Sequence, residues 1–142
     1  MIKEFVKLWD ENKDKLEEVI RNSTDHCNWR YKDIVILLFE HVINKGEVKY
    51  DTKDIDVLCH SDYTGTLVFI LHDSSGVISV EDYVYTNADY GSCSCCDTLQ
   101  AIQEINLESE LPNDEQVQDY MMLCLHLLQR CHRMLYEDSE GI

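Results

Sequence analysis

Between Lys53 and Arg130 the chain contains neither lysine nor arginine. A stretch of that length without positive charge repels nucleic acid and anionic lipid, which are held mainly by basic side chains. Proline is nearly absent, with Pro112 the only one, and glycine is scarce, with five. Neither clusters into a linker, so a single domain over residues 1–142 is expected. No apolar run approaches the ~18 residues that a membrane span needs. The longest are IVILLF (34–39) and LVFIL (67–71). The N-terminal MIKEFVKLWDENK is charged and amphipathic and lacks the apolar centre of a signal peptide. A serine-hydrolase elbow, a P-loop and a GxGxxG fingerprint are also missing. These absences lead to the expectation of a cytoplasmic protein with no membrane partner and no direct contact with nucleic acid.

The charge that is present is unevenly spread. The formal net charge is −16, and residues 54–129 hold fourteen acids with no compensating cation. Residues 1–53, with ten basic and eleven acidic side chains, are close to neutral. An acidic half of this kind serves solubility, or it docks on a basic protein surface. Glu104, Glu108, Glu110, Asp114, Glu115 and Asp119 are the densest group and the candidate partner-binding surface.

Hydrophobic periodicity predicts the elements. Ile2, Phe5, Val6, Leu8, Trp9, Leu16, Val19 and Ile20 recur at helical spacing over 2–22. A second helix is expected over 29–45, apolar almost all round and ended by Gly46. Residues 54–63, 65–73 and 81–90 read as three strands of an antiparallel meander, separated by DYTG and DSSG turns. A short helix follows, capped by Asp97. The last helix opens on Pro112-Asn113-Asp114-Glu115-Gln116, a capping-box pattern with Asn113 as cap. Its apolar stripe runs from Val117 through Tyr120, Met121, Cys124, Leu128 and Cys131 to Leu135, with a frayed tail over 137–142. The expected fold is α+β, in the order α-α-β-β-β-α-α. A helical part (1–53) joins a β-meander, a cysteine loop and C-terminal helices (54–136), and a three-stranded sheet packs on about four helices.

The loop is the segment with the most chemistry. Residues 90–97 read YGSCSCCD. Seven cysteines, an odd number, in a chain expected to stay in a reducing compartment point to free thiols or metal ligands. Cys93 and Cys96 form a CxxC pair that could supply one edge of a zinc site, but no second CxxC or HxxxH accompanies it. Further ligands would come from scattered residues: Cys59-His60, His72, His26-Cys27 or His126. CxxC at a helix start is also a redox geometry. That use is weakened because the parallel βαβ unit and cis-proline of thioredoxin-like domains are missing. The plainest alternative is a tight loop of small residues, with Gly91 adopting a positive φ. A variant of it uses the exposed amides around Gly91, Ser92 and Ser94 to bind a polar ligand, against the surrounding acidic field. Tyr83, Tyr85 and Tyr90 either line a pocket beside the loop or pack in the core. Zinc is the one cofactor considered, and otherwise none is expected. Met122 and the apolar second helix leave a homodimer open.

Three segments together resemble a known family: DYTGTLVFILHD (62–73), DYVYTNADYGSCSCCDTLQAI (82–102) and PNDEQVQDYMMLCLHLLQRC (112–131). They are similar to a group of small, uncharacterised bacteriophage and prophage proteins. That group has a YxGTLLF strand, a DYWYT stretch, a YGSCSGCDTLQ loop and an EQVxDYMxLALHLxQ helix. The similarity spans roughly residues 55–132. Tyr90 to Ser94 and Cys96 to Gln100 match the loop, while Asp119, Tyr120, Met121, Leu123, Leu125, His126 and Gln129 match the helix. Cys95 and Cys124 stand where the group has glycine and alanine. The resemblance implies a phage origin, a bacterial host cytoplasm, and Cys93, Cys96 and His126 as a set; it implies no activity. The resulting expectation is a non-enzymatic protein that inhibits a host defence or nucleic-acid-binding protein by covering its basic patch, as a DNA mimic would. The alternative is a zinc- or ligand-binding protein built around Cys93–Asp97.

Overall fold

The computed structural model describes residues 2–59 and 65–134. The fold is α+β, with four helices and one antiparallel sheet. Helix α1 (Lys3–Arg21) buries Phe5, Trp9, Leu16 and Ile20, the stripe that its periodicity predicts. Asn22 ends it, with its backbone N–H bonded to Glu18 and Ile20 carbonyls.

Helix α2 (Tyr31–His41) is shorter than the 29–45 expected. Residues Ile43–Lys45 form a 3-10 turn instead. Val42 and Ile43 are buried, and the Asn44 side chain brackets Tyr50, accepting from its N–H at 2.8 Å and donating to its carbonyl at 3.0 Å. That pair of bonds draws the chain off the helical path. Gly46 therefore does not act as a left-handed cap; its φ is −80°. It allows close approach instead, since a Cβ there would lie 3.0 Å from Leu8 Cδ1 on α1.

The sheet has four strands rather than three: β1 (Asp56–Cys59), β2 (Gly65–His72), β3 (Tyr83–Tyr90) and β4 (His132–Arg133), hydrogen-bonded in that order. Asp54 and Ile55, expected in the first strand, precede it instead; residues 60–63 of that expected strand and the tail beyond residue 134 fall outside the described residues. Strands β2 and β3 pair over their whole length, from Gly65 with Tyr90 to His72 with Tyr83. One face carries Phe69, Leu71, Val84, Thr86 and Ala88, all buried. Tyr83 and Tyr85 lie on the opposite face, Tyr85 against the His132 ring at a centroid distance of 5.6 Å.

Helix α3 (Thr98–Gln103) and helix α4 (Asp114–Gln129) pack on each other and on β3. The capping box is present: Gln116 N–H donates to Asn113 Oδ1 at 2.8 Å, and Asn113 N–H donates to Gln116 Oε1 at 3.0 Å. Helix α4 stops at Gln129, short of the stripe that continued to Leu135 in the sequence. Cys131 therefore leaves the helix that holds Cys124, yet both thiols are buried, and burial pushes each up to about 12. The chain turns because His132 and Arg133 are captured by β3, opposite Tyr85 and Val84.

A buried aromatic knot joins α4 to the segment after α1. His26 Nδ1 lies 2.8 Å from the Tyr120 hydroxyl, and the Trp29 and Tyr120 rings meet edge to face at 5.0 Å. Burial lowers the His26 pKa from its ordinary 6.5, with Asp25 opposing weakly. An unfolded chain protonates His26 before the folded one does. Its contribution to stability is thus full above about pH 6.5 and falls as the pH drops through that value. The urea midpoint is expected to fall between about pH 7 and pH 5, and His26→Gln should flatten part of that slope. An identical slope in the two proteins would remove His26 from the account.

Candidate functional site

The loop between β3 and α3 winds around one carbonyl. Cys96 N–H and Asp97 N–H both donate to the Cys93 oxygen, at 3.0 and 2.9 Å. Gly91 lies beneath this turn. Its φ is not positive, contrary to the sequence expectation; among described residues only Gly76 has one. Gly91 is required by proximity, because a Cβ there would sit 2.5 Å from the Cys96 carbonyl oxygen and 2.6 Å from its Sγ.

Asp97 fixes the loop to the rest of the protein. Its Oδ1 accepts from Gln100 N–H and from the Tyr31 hydroxyl, both at 3.0 Å, and its Oδ2 accepts from Gly91 N–H at 2.9 Å. The helix cap was legible in the sequence; the two other bonds were not. The Tyr31 oxygen in turn accepts from Leu99 N–H at 3.1 Å. Burial, and then the Asp97 carboxylate, push the Tyr31 hydroxyl up to about 12, although its bond to Leu99 acts the other way. It remains a donor throughout the physiological range.

The thiols face solvent. Cys93 Sγ and Cys96 Sγ are 3.5 Å apart, with Ser92 Oγ 3.8 Å from Cys96 Sγ. Hydrogen bonding with the Cys93 backbone, then with the Cys93 thiol and the Ser92 hydroxyl, holds the Cys96 thiol below its usual range. A lowered thiol beside a second thiol in contact is the arrangement that closes to a disulfide once an oxidant removes two electrons and two protons. Oxidised glutathione is expected to do this within Cys93–Cys96 and to leave Cys124 and Cys131 reduced until the protein unfolds. Peptide mapping checks both statements. Cross-linking through Cys27 or Cys59 at equal rate would count against the pairing.

The loop separates two hollows. On one side Ser94, Cys95 and Cys96 meet Asp119, Met122 and His126 of α4 around an open depression of about 590 Å³. Of the set Cys93, Cys96 and His126 that the sequence resemblance implies, Cys96 and His126 border this hollow and Cys93 does not. On the other side Tyr90, Gly91 and Asp97 border a cavity of about 620 Å³ under β1 and β2. Tyr90 lines it, as one reading of the sequence held, and its hydroxyl lies 3.2 Å from Cys59 Sγ. Trp29, Arg30 and Lys32 also border this cavity. The sequence reading passed over these three, and the alternation of aromatic and cation in Trp29-Arg30-Tyr31-Lys32 was the one signal there.

For zinc the fit is poor. Cys93 and Cys96 supply two sulfurs where zinc takes about four ligands. Among the described residues no group of three or more His, Cys, Asp or Glu could hold a metal ion. His60 lies outside the described residues.

Comparison with known proteins finds no match: no family model, no curated protein and no solved structure resembles the chain closely enough to be reported. Also, no described helix is long and apolar enough to cross a membrane.

The acidic candidates form a surface of their own. Glu104 caps the end of α3, Glu108 and Glu110 lie in the connection to α4, and Asp114 and Glu115 form the first turn of α4. All five are exposed, and Asp119 is half-buried at the depression. Asp114 is paired with Arg21 at 2.5 Å. The same segment exposes Ile105, Leu107 and Leu111, with Leu107 73% exposed, and Met122 follows on α4 at 53%.

Proposed function

We propose that the chain is a non-enzymatic interaction protein of the phage or prophage type, which docks its acidic surface on a basic patch of a host protein and so inhibits it. The observation that carries this reading is the segment from Glu104 to Met122. It sets exposed Ile105, Leu107, Leu111 and Met122 among Glu104, Glu108, Glu110 and Glu115. Apolar anchors inside a charged rim are the composition of a docking surface, whereas charge alone would serve solubility. The rim selects a cationic partner and speeds encounter, and the anchors supply the buried area. The choice of a host protein as the target rests on the motif resemblance read from the sequence alone, to which the comparisons add nothing.

The test is made on the immobilised chain presented with a bacterial host extract. A basic protein retained there is expected to bind with affinity that falls steeply with salt. Glu108→Lys/Glu110→Lys/Glu115→Lys should weaken it about a hundredfold, at ~1 kcal/mol for each reversed rim charge. Leu107→Ser should weaken it without changing the salt slope. Retention that is indifferent to salt and to the charge reversals would overturn the reading.

A second reading treats the loop as a ligand site. The convergence of Ser94 and Cys96 with Asp119 and His126 on one depression favours it.

A further inference from the structure

The sheet is unevenly covered. Helices α3 and α4 pack on β3, whereas all four residues of β1 are exposed. The inner face beneath β1 and β2 therefore opens into the 620 Å³ cavity rather than into packed core. Its walls are apolar where they are deep: Trp29, Phe69 and Leu99 are buried, and Leu67 is half-buried. The size lies within the ~300–1,000 Å³ typical of small-molecule sites. Gln103, which also lines the hollow, braces the wall, its Nε2 donating to the carbonyls of His26 and Trp29 at 3.0 and 2.8 Å. The hollow is open to solvent on one side, so a ligand there covers apolar wall without first displacing core.

The rim of this cavity reverses the sign of the molecule. Arg30 and Lys32 both border it and both are exposed. Among the described residues neither joins an ion pair, although Arg21, Arg130 and Arg133 each do. In a chain of net charge −16, Arg30 and Lys32 together at the edge of an apolar hollow are a local concentration of positive charge. Asp97 is the one carboxylate in the described lining; it is 5% exposed, and its oxygens already accept three hydrogen bonds. It holds the wall rather than offering a free acceptor to a ligand. Of the nearby acids, Asp33 accepts from the Arg30 backbone N–H at 2.8 Å and does not line the hollow; beyond about 10 Å the wider acidic surface is screened at ordinary salt.

We propose that this cavity binds a small amphipathic anion, with its aliphatic or aromatic body against Trp29, Leu67, Phe69 and Leu99 and its acidic head on Arg30 and Lys32. The guanidinium takes a carboxylate-type head by paired hydrogen bonds and the ammonium adds a second charge. The site is separate from the acidic docking surface and does not depend on it.

Decanoate and its uncharged counterpart decanol are the probes, read by calorimetry and by the Trp29 indole N–H resonance. Decanoate should bind saturably and shift the Trp29 signal, and decanol should bind about tenfold more weakly or worse. Arg30→Gln/Lys32→Gln, both at exposed positions, should remove that preference and leave decanol binding unchanged. Leu67→Trp, which fills the cavity, should block both probes. No saturable shift of Trp29 up to about 1 mM decanoate would overturn the proposal. Equal affinity for the two probes, or a double variant that binds decanoate as the parent does, would overturn the anionic half of it.

Discussion

Asp97→Ala is expected to destabilise the protein by about 3–7 kcal/mol, read as a fall in the urea midpoint at unchanged slope. The carboxylate satisfies three donors that belong to three different parts of the chain: Gly91 before the cysteine loop, Gln100 in α3 and Tyr31 in α2. Alanine removes a helix cap, worth ~1 kcal/mol, and strands the buried Gly91 N–H and Tyr31 hydroxyl at about 1–3 kcal/mol each. Asp97→Asn separates the contributions. Its oxygen can still serve Gln100 and Tyr31, but its NH2 would face the Gly91 N–H, donor against donor. A loss of roughly half the alanine effect is expected. A negligible effect of Asp97→Ala would mean that the loop is not held by this carboxylate.

The second large effect belongs to Gly91→Ala. A Cβ placed 2.5 Å from the Cys96 carbonyl oxygen and 2.6 Å from its carbon meets backbone rather than the end of a flexible side chain, so the loop itself must move. A cost of about 2–4 kcal/mol is expected, with the larger part of it confined to the loop. The 3.5 Å approach of Cys93 and Cys96 should open, and disulfide closure by oxidised glutathione should slow. Because Gly91 N–H is itself a ligand of Asp97, the two substitutions share a partner, and their combined cost should fall short of the sum. Unchanged stability and oxidation rate in Gly91→Ala would mean that the loop tolerates the displacement.

What could be read in the sequence was local. Asn113 with Gln116, and Asp97 ahead of Thr98, are patterns within four residues, and both caps form as their spacing predicts. The helical stripe of α1 and the pairing of the two long strands are likewise carried by short periods. The errors lie where distant segments decide. Strand β4 is two residues long, too short for any alternation, and it exists because β3 leaves an edge for it. The same capture ends α4 at Gln129 although the apolar stripe runs on. Gly91 permits a positive φ, which the structure does not use; its need arises from a neighbour five residues later. Tyr31 gave no signal, and His26 was legible only as a possible metal ligand, because their hydrogen-bond partners lie 66 and 94 residues away. Of the candidate site, the thiols and acids were legible as residue types. The cavity with Arg30 and Lys32 was not, since it is made where the sheet is left uncovered.

The hydroxyl of Tyr31 has a further consequence, for when the loop can form. It gives its proton to Asp97 and takes one from Leu99, so α2 must already be docked before the β3–α3 junction is complete. The junction and α2 then open and close together. Amide hydrogens of Gly91 and Leu99 should exchange with solvent deuterium as slowly as those in the centre of α2, and far more slowly than those of Ser94 and Cys95 in the same turn. A loop that looks peripheral in sequence thus has its two ends tied into the slowest-opening unit of the protein, while its thiol-bearing crest stays free to exchange.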